Sequence, residues 1–259
     1  MDQPDGDGQL EIEVPWAERC VHVQRSPYRK FIASLEQHRL PETAPYFEDT
    51  FACIDECPYS RHDARPTICL ECPARDYYSL WIWVRKFGMF ALVTLQHTRQ
   101  LACLLQGKHV LEVMAGSGWL AHALTKYGVD VDATDDGSWG LHKKVDWGIR
   151  ICEAEEAALE SDADVLLMCW PPYDSDVASK TARAWGGERP IVYIGEGESG
   201  CCANDEFFSL VWLDHCGIYW PQWYGLHDNV AIGGLYGGTC LNTVDMMLEA
   251  AGLEREGRL

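Results

Sequence analysis

The chain has 259 residues, 47% of them hydrophobic, with 40 acidic against 21 basic side chains and a formal net charge of −19. That length is ample for one large α/β domain with an appendage. It contains no run of eighteen uncharged apolar residues, so a membrane-spanning helix is not expected, and the charge disfavours free nucleic acid as a partner, because phosphate contacts need a basic surface.

Residues 1–15 are acidic and polar, the opposite of a signal peptide, and read as a flexible tail with the cytoplasm as the default location. Residues 24–38 read as a helix, with Tyr28, Phe31, Ile32 and Leu35 at helical spacing. A cysteine region follows, in which Cys53, Cys57, Cys69 and Cys72 are spaced C-x3-C-x11-C-x2-C. Two close pairs across a short loop suit tetrahedral thiolate coordination of a structural zinc, with His62 as a substitute ligand. Free cysteines or a redox pair are the alternatives. From about Tyr77 to Leu105 the apolar pattern predicts one long helix, broken near Gly88. Residues 16–105 together make an N-terminal helical cap.

Residues 108–136 carry the main signal. The apolar run Val110 to Val113 ends in Ala115-Gly116-Ser117-Gly118, a helical segment follows, and a second apolar run closes on Asp135 and Asp136. That is strand, tight turn, helix and a strand tipped by acid, the unit that makes a nucleotide-shaped crevice in a parallel sheet. Asp135 stands 23 residues after Glu112, a spacing that suits a ribose ligand. Further on, Val165 to Met168 runs into Trp170-Pro171-Pro172-Tyr173. A double proline cannot continue a strand, so it forms a stiff, aromatic-flanked lip where α/β sheets bind ligands.

The first of these segments resembles motif I of the class I S-adenosylmethionine-dependent methyltransferases, whose turn reads acid-x-Gly-x-Gly-x-Gly. Here Glu112-Val113-Met114-Ala115-Gly116-Ser117-Gly118 keeps the last two glycines and replaces the first by Met114. The lip is similar to motif IV of the exocyclic-amine methyltransferases, written Asp/Asn/Ser-Pro-Pro-aromatic. It departs at Trp170, an indole that donates one N–H and accepts nothing, which argues against holding a base amine there. The lip and its following Gly-Glu loop also resemble those of an uncharacterised methyltransferase-like branch. The resemblance spans roughly residues 105–259.

It implies a Rossmann-like, mostly parallel sheet closed by a C-terminal antiparallel hairpin, with S-adenosylmethionine as cofactor. Glu112, Ala115, Gly116, Gly118, Asp135 and Asp136 would hold that cofactor, and Trp170, Pro172 and Tyr173 would shape a pocket for an unidentified methyl acceptor. A small molecule or a protein fits the net charge better than a nucleic acid. An NAD-type oxidoreductase, or a non-catalytic interaction module on the same fold, remains open.

The remaining elements follow in order. Residues 148–153 read as a third strand, 164–169 as a fourth, 174–185 as a helix and 190–194 as a fifth strand. The loop after the fifth strand carries Glu196, a candidate general base or substrate ligand, or simply part of a polar turn, and then Cys201-Cys202. A helix is expected over Asp205–Leu213. The closing hairpin is placed in residues 217–238, with Gly225 to Asn229 as its turn and His227-Asp228 at a solvated tip. Cys103, Cys152 and Cys216 read as core filler.

Overall fold

The structure is a computed structural model, described for residues 27–44, 84–140, 145, 147–223 and 226–259. The four clustered cysteines Cys53, Cys57, Cys69 and Cys72, with residues 1–15, lie outside these. Among the described residues no helix is long and apolar enough to cross a membrane.

The elements run α1 (Pro27–Glu36), α2 (Leu95–Leu104), β1 (His109–Val113), α3 (Trp119–Thr125), β2 (Asp130–Asp135), β3 (Arg150–Ile151), α4 (Ala154–Glu160), β4 (Val165–Cys169), α5 (Val177–Trp185), β5 (Ile191–Gly195), α6 (Asp205–Leu210), β6 (Val211–His215), β7 (Asn229–Leu235), α7 (Leu241–Ala251) and β8 (Gly257–Arg258). They form one eight-stranded sheet in the order β3-β2-β1-β4-β5-β7-β6-β8. Strands β3 to β5 along that row pair in parallel, while β7 is antiparallel to both β5 and β6. The sheet is Rossmann-like, mostly parallel, with its antiparallel strands at the C-terminal end, as the sequence leads us to expect.

The burial explains the order. Strands β4 and β5 are buried at every residue and β1 at all but His109, as continuous apolar runs are when helices cover both faces of a parallel sheet. Phe31 and Leu35 of α1 belong to the same buried cluster as the strands.

Two sequence expectations are corrected here. The break expected near Gly88 is present, but it is wider than the pattern suggests. Residues 84–85 are helical, the chain turns over 86–88 with Gly88 at φ +71°, residues 89–94 form neither helix nor strand, and helix resumes at Leu95, capped by Thr94, whose hydroxyl accepts from the His97 amide. This strap, from Arg85 to Thr94, is fixed by two buried indoles: Trp119 Nε1 donates to the Phe87 carbonyl at 2.6 Å and Trp223 Nε1 to the Phe90 carbonyl at 2.8 Å. A helix would have spent those carbonyls on itself, so tertiary contacts override the local pattern. The closing hairpin is also displaced. Helix α6 stops at Leu210, and Val211–His215 takes the place beside β7 that residues 217–223 were expected to fill. Pro221 has no N–H to give a ladder, and Trp220 and Trp223 plug the core instead, each 2% exposed or less. Of three cysteines expected in the core, Cys216 is buried, Cys152 half-buried and Cys103 exposed.

One polar group is buried in the central strand. Glu112 is 1% exposed and its Oε2 has no hydrogen-bond partner among the described residues. Burial pushes its pKa from 4.5 up to about 8, against one backbone hydrogen bond from Ala121 and helped by the charge of Asp135. A carboxyl raised in this way holds, in the fold, a proton that the unfolded chain releases. Its contribution is therefore full below pH 4.5 and is lost as pH rises to about 8, at about 1.4 kcal/mol per pH unit. Urea midpoints measured from pH 5 to 9 should fall for the native chain and fall less steeply for Glu112→Gln. Parallel curves would show that Glu112 ionises as freely in the fold as outside it.

Candidate functional site at the carboxyl edge of the sheet

A cleft of about 730 Å³ opens at the carboxyl ends of β1, β2 and β4. Its walls are Met114 after β1, Asp135 and Asp136 at the tip of β2, Glu153 to Glu155 at the start of α4, and Trp170 to Asp176 after β4. Arg85 and Phe90 of the strap and Trp139 close the side opposite the lip. The structure thus brings Asp135, Asp136, Trp170, Pro172 and Tyr173 to one cavity, and Cys201 joins them. Ala115, Gly116, Gly118, Glu112 and Glu196 stand behind its walls.

The glycine turn shows why those residues recur. Gly118 sits at φ +76° as the N-cap of α3, and a Cβ there would meet Ile149 at 2.2 Å. Gly116, at φ +59°, would place a Cβ 2.9 Å from the Gly88 carbonyl oxygen. The close approach at Gly116 is therefore made by the chain's own strap. Met114, in the place of the family's first glycine, takes the same left-handed region at φ +55° and turns toward the cleft wall. A non-glycine residue there carries strain on the order of 1–2 kcal/mol.

Asp135 ties the turns together. Its Oδ2 accepts from the Gly116 amide at 2.8 Å and its Oδ1 from the Gly137 amide at 2.9 Å. Each carboxylate oxygen can accept a second bond. The exposed Asp136 uses Oδ1 for the amide and hydroxyl of Ser138, at 2.9 and 2.8 Å. Across the cleft mouth, Phe90 and Trp139 lie with ring centroids 5.7 Å apart, and the Arg85 guanidinium stands 5.3 and 5.7 Å from the two rings. No motif in the sequence marks this aromatic–cation wall, because Arg85 and Phe90 fall within the segment whose pattern suggests a helix.

The lip is braced from three sides. The Trp170 amide donates to the Ile194 carbonyl at 2.8 Å, the Ala203 amide donates to the Pro171 carbonyl at 2.9 Å, and Pro172 forms an antiparallel bridge with Cys202. Trp170 adopts φ +56° and is 8% exposed, with its Nε1 donating to Asp228 Oδ1 at 2.8 Å. Tyr173, by contrast, is 52% exposed at the cleft rim.

Glu196 has the surroundings of a brace rather than those of a base. Its Oε2 accepts from the Cys201 amide at 2.8 Å and its Oε1 from the His227 amide at 3.0 Å. Burial opposes its ionisation, but the Cys201 and His227 hydrogen bonds and the nearby His227 ring outweigh that, and its pKa is held below the usual carboxylate range. Asp228 corrects the expectation of a solvated tip: it is 2% exposed, behind the lip. Among the described residues no group of three or more His, Cys, Asp or Glu side chains could hold a metal ion.

No family model matches the chain, and no curated protein matches it. Solved structures that it resembles in part include a point mutant of MtNAS, at 12% identity and a TM-score of 0.40, covering 64% of this chain and 65% of that one. Others are the Pyrococcus abyssi tRNA (uracil-54, C5)-methyltransferase in complex with S-adenosyl-L-homocysteine (15%, TM-score 0.35, 52% and 36% covered) and the Burkholderia thailandensis 1,6-didemethyltoxoflavin-N1-methyltransferase (16%, TM-score 0.37, 62% and 85% covered). The chain spans just under two thirds of the first of these and about a third of the second. At these values the likenesses carry no residue's role across.

Proposed function

We propose that the chain is an S-adenosylmethionine-dependent methyltransferase whose acceptor rests at the Trp170–Tyr173 lip. The observation that carries this reading is the single cleft that joins the acidic tip of β2 to the diproline lip of β4.

The cleft's chemistry fits such a cofactor. Its size lies within the range of small-molecule sites, roughly 300–1,000 Å³. Asp135 and Asp136 offer acceptors for ribose hydroxyls, Phe90 and Trp139 offer faces for a purine, and Arg85 offers a cation for a carboxylate. Aromatic faces and carboxylates also favour a sulfonium charge. The bound cofactor supplies an electrophilic methyl group. What the protein supplies is alignment, because displacement at that carbon needs the nucleophile held in line at contact distance. The rigid Pro171-Pro172 pair fixes where Tyr173 can present an acceptor, and the strap from Arg85 to Phe90 covers the turn from water.

The acceptor is a small molecule or a protein segment in this reading. The indole N–H of Trp170 is spent on Asp228, so position 170 offers an exocyclic base amine no acceptor atom. We also propose a structural zinc at Cys53, Cys57, Cys69 and Cys72, and the dialysed protein should then retain zinc in stoichiometric amount.

Thermal shift with S-adenosylhomocysteine, S-adenosylmethionine and NAD is the direct test, since a ligand at a hundred times its dissociation constant adds about 2.7 kcal/mol. Stabilisation by the first two is expected. Response to NAD alone would make the site that of an oxidoreductase, and response to none would favour an interaction module.

Substitutions then separate the roles. Asp136→Ala should weaken S-adenosylhomocysteine binding by about tenfold, the worth of one hydrogen bond to a charged group. Its unfolding temperature should scarcely change, because Asp136 is exposed. Asp135→Ala should lower stability as well, by about 1–3 kcal/mol, because two turn amides lose their acceptor. Calorimetric titration of both variants checks this, and unaltered affinity in both removes β2 from the cofactor site.

A further inference from the structure

Asp228 is absent from the cleft wall, yet it is joined to Trp170, which lines it. It lies just before β7, its Oδ1 accepts the Trp170 indole N–H, and its Oδ2 has no hydrogen-bond partner among the described residues. Its own segment is clamped on both sides. The Gln222 side chain donates to the Asp228 carbonyl at 3.1 Å, and the His227 amide donates to Glu196, which in turn holds the Cys201 amide. Cys202 then bridges back to Pro172 of the lip. Trp170, Asp228, Glu196 and Cys202 therefore form one ring of contacts that links the ends of β4, β5 and β7.

Trp170 needs such support. A bulky residue held at φ +56° keeps that conformation only where its surroundings over-determine it. The backbone bond to Ile194 fixes its amide but leaves the side-chain torsions open. Asp228 accepts from the indole nitrogen and so holds the ring itself.

We propose that Asp228 is a positioning residue of the site: its carboxyl grips the Trp170 indole from behind the sheet edge and sets the plane that Trp170 presents to the cleft. The grip itself does not depend on the methyltransferase reading; only its consequence for bound cofactor does. The groups that face Asp228 are Glu196 after β5, Cys169 on β4, Tyr193 on β5 and Cys202 of the loop before α6. None of these is a cation, and the ring of the adjacent His227 stands 3.6 Å from Glu196. Burial, opposed by the indole hydrogen bond and assisted by Glu196, pushes Asp228 up to about 8. Its charge thus changes at accessible pH, and the indole proton it holds reports that change directly.

The experiment is a pH series, 6 to 9.5, of amide-type nitrogen–proton spectra of the full chain, with the Trp170 indole signal identified through Trp170→Phe. In the native protein that signal should move with a midpoint near 8. In Asp228→Asn, whose side-chain oxygen still accepts the bond, it should stay hydrogen-bonded and stop moving. In Asp228→Ala it should shift to the position of an unbonded indole, with S-adenosylhomocysteine affinity reduced about tenfold and recovered in Asp228→Asn. A merely structural carboxyl would not give a titrating indole that Asn silences. A Trp170 signal that is static in the native chain across this range, or one that still titrates in Asp228→Asn, overturns the proposal. If Asp228→Ala does not fold, the native chain and Asp228→Asn decide alone. A Trp170 signal that titrates in a protein binding no S-adenosylhomocysteine upholds the positioning role and refutes the cofactor reading.

Discussion

Three buried indole N–H groups find acceptors on other elements, and those bonds organise the functional edge of this sheet. Trp119 and Trp223 spend theirs on the Phe87 and Phe90 carbonyls, which pins the strap over the glycine turn. Trp170 spends its own on Asp228, which pins the lip. An unmet indole buried at any of these places would cost about 1–3 kcal/mol, a large part of a domain's net stability. The two walls of the cleft are thus held by the same kind of bond, donated from different elements. Three of the chain's 11 tryptophans are thus directed fasteners as well as core volume.

This accounts for what was legible in the sequence and what was not. Strands β1, β2, β4 and β5 were readable because their apolar runs end in residues that cannot continue them: a glycine turn, paired acids, a diproline and a glycine loop. Local chemistry decided those boundaries, and tertiary structure agreed with it. The stretch from Tyr77 to Leu105 also carried a strong local pattern, and its break at Gly88 was legible, yet residues 89–94 do not rejoin the helix. The Phe87 and Phe90 carbonyls are claimed by indoles from residues 119 and 223, and no window on the local sequence contains that competition. The hairpin failed in the same way. Residues 217–223 look more β-prone than Val211–His215, but two of their tryptophans are worth more as core plugs than as strand positions.

The site was legible in its outline and not in its wiring. Acid at the tip of β2 and aromatic at the tip of β4 follow from motif spacing, and the fold brings both to one cavity. The glycines are explained differently from the way the motif suggests. Gly116 gives room to the Gly88 carbonyl rather than to a ligand, so the strap belongs to the turn as much as the helix does. Asp228 is the clearest case of a residue hidden from sequence reasoning. Beside His227 and among polar neighbours it resembles a loop tip, and only the closure of β7 on β5 places it behind Trp170.

Two carboxyls, Glu112 and Asp228, are buried near the cleft, each with one oxygen that has no hydrogen-bond partner among the described residues, and both are pushed up to about 8. A fold selected for stability alone would replace either with an apolar or amide side chain, since an unpaired buried carboxyl is a net cost. Their positions are opposite: Glu112 lies beneath the glycine turn on β1, and Asp228 lies beneath the lip. Cys169 is the residue between them in electrostatic terms, its thiol pushed up first by burial and then by both carboxyls. Buried carboxyls with raised pKa values cluster at functional sites more often than elsewhere, and these two stand behind the lining of one cavity without joining it. Among the described residues the acidity is therefore of two kinds. Most acidic side chains are exposed or half-buried, and Glu112, Glu196 and Asp228 are the buried ones.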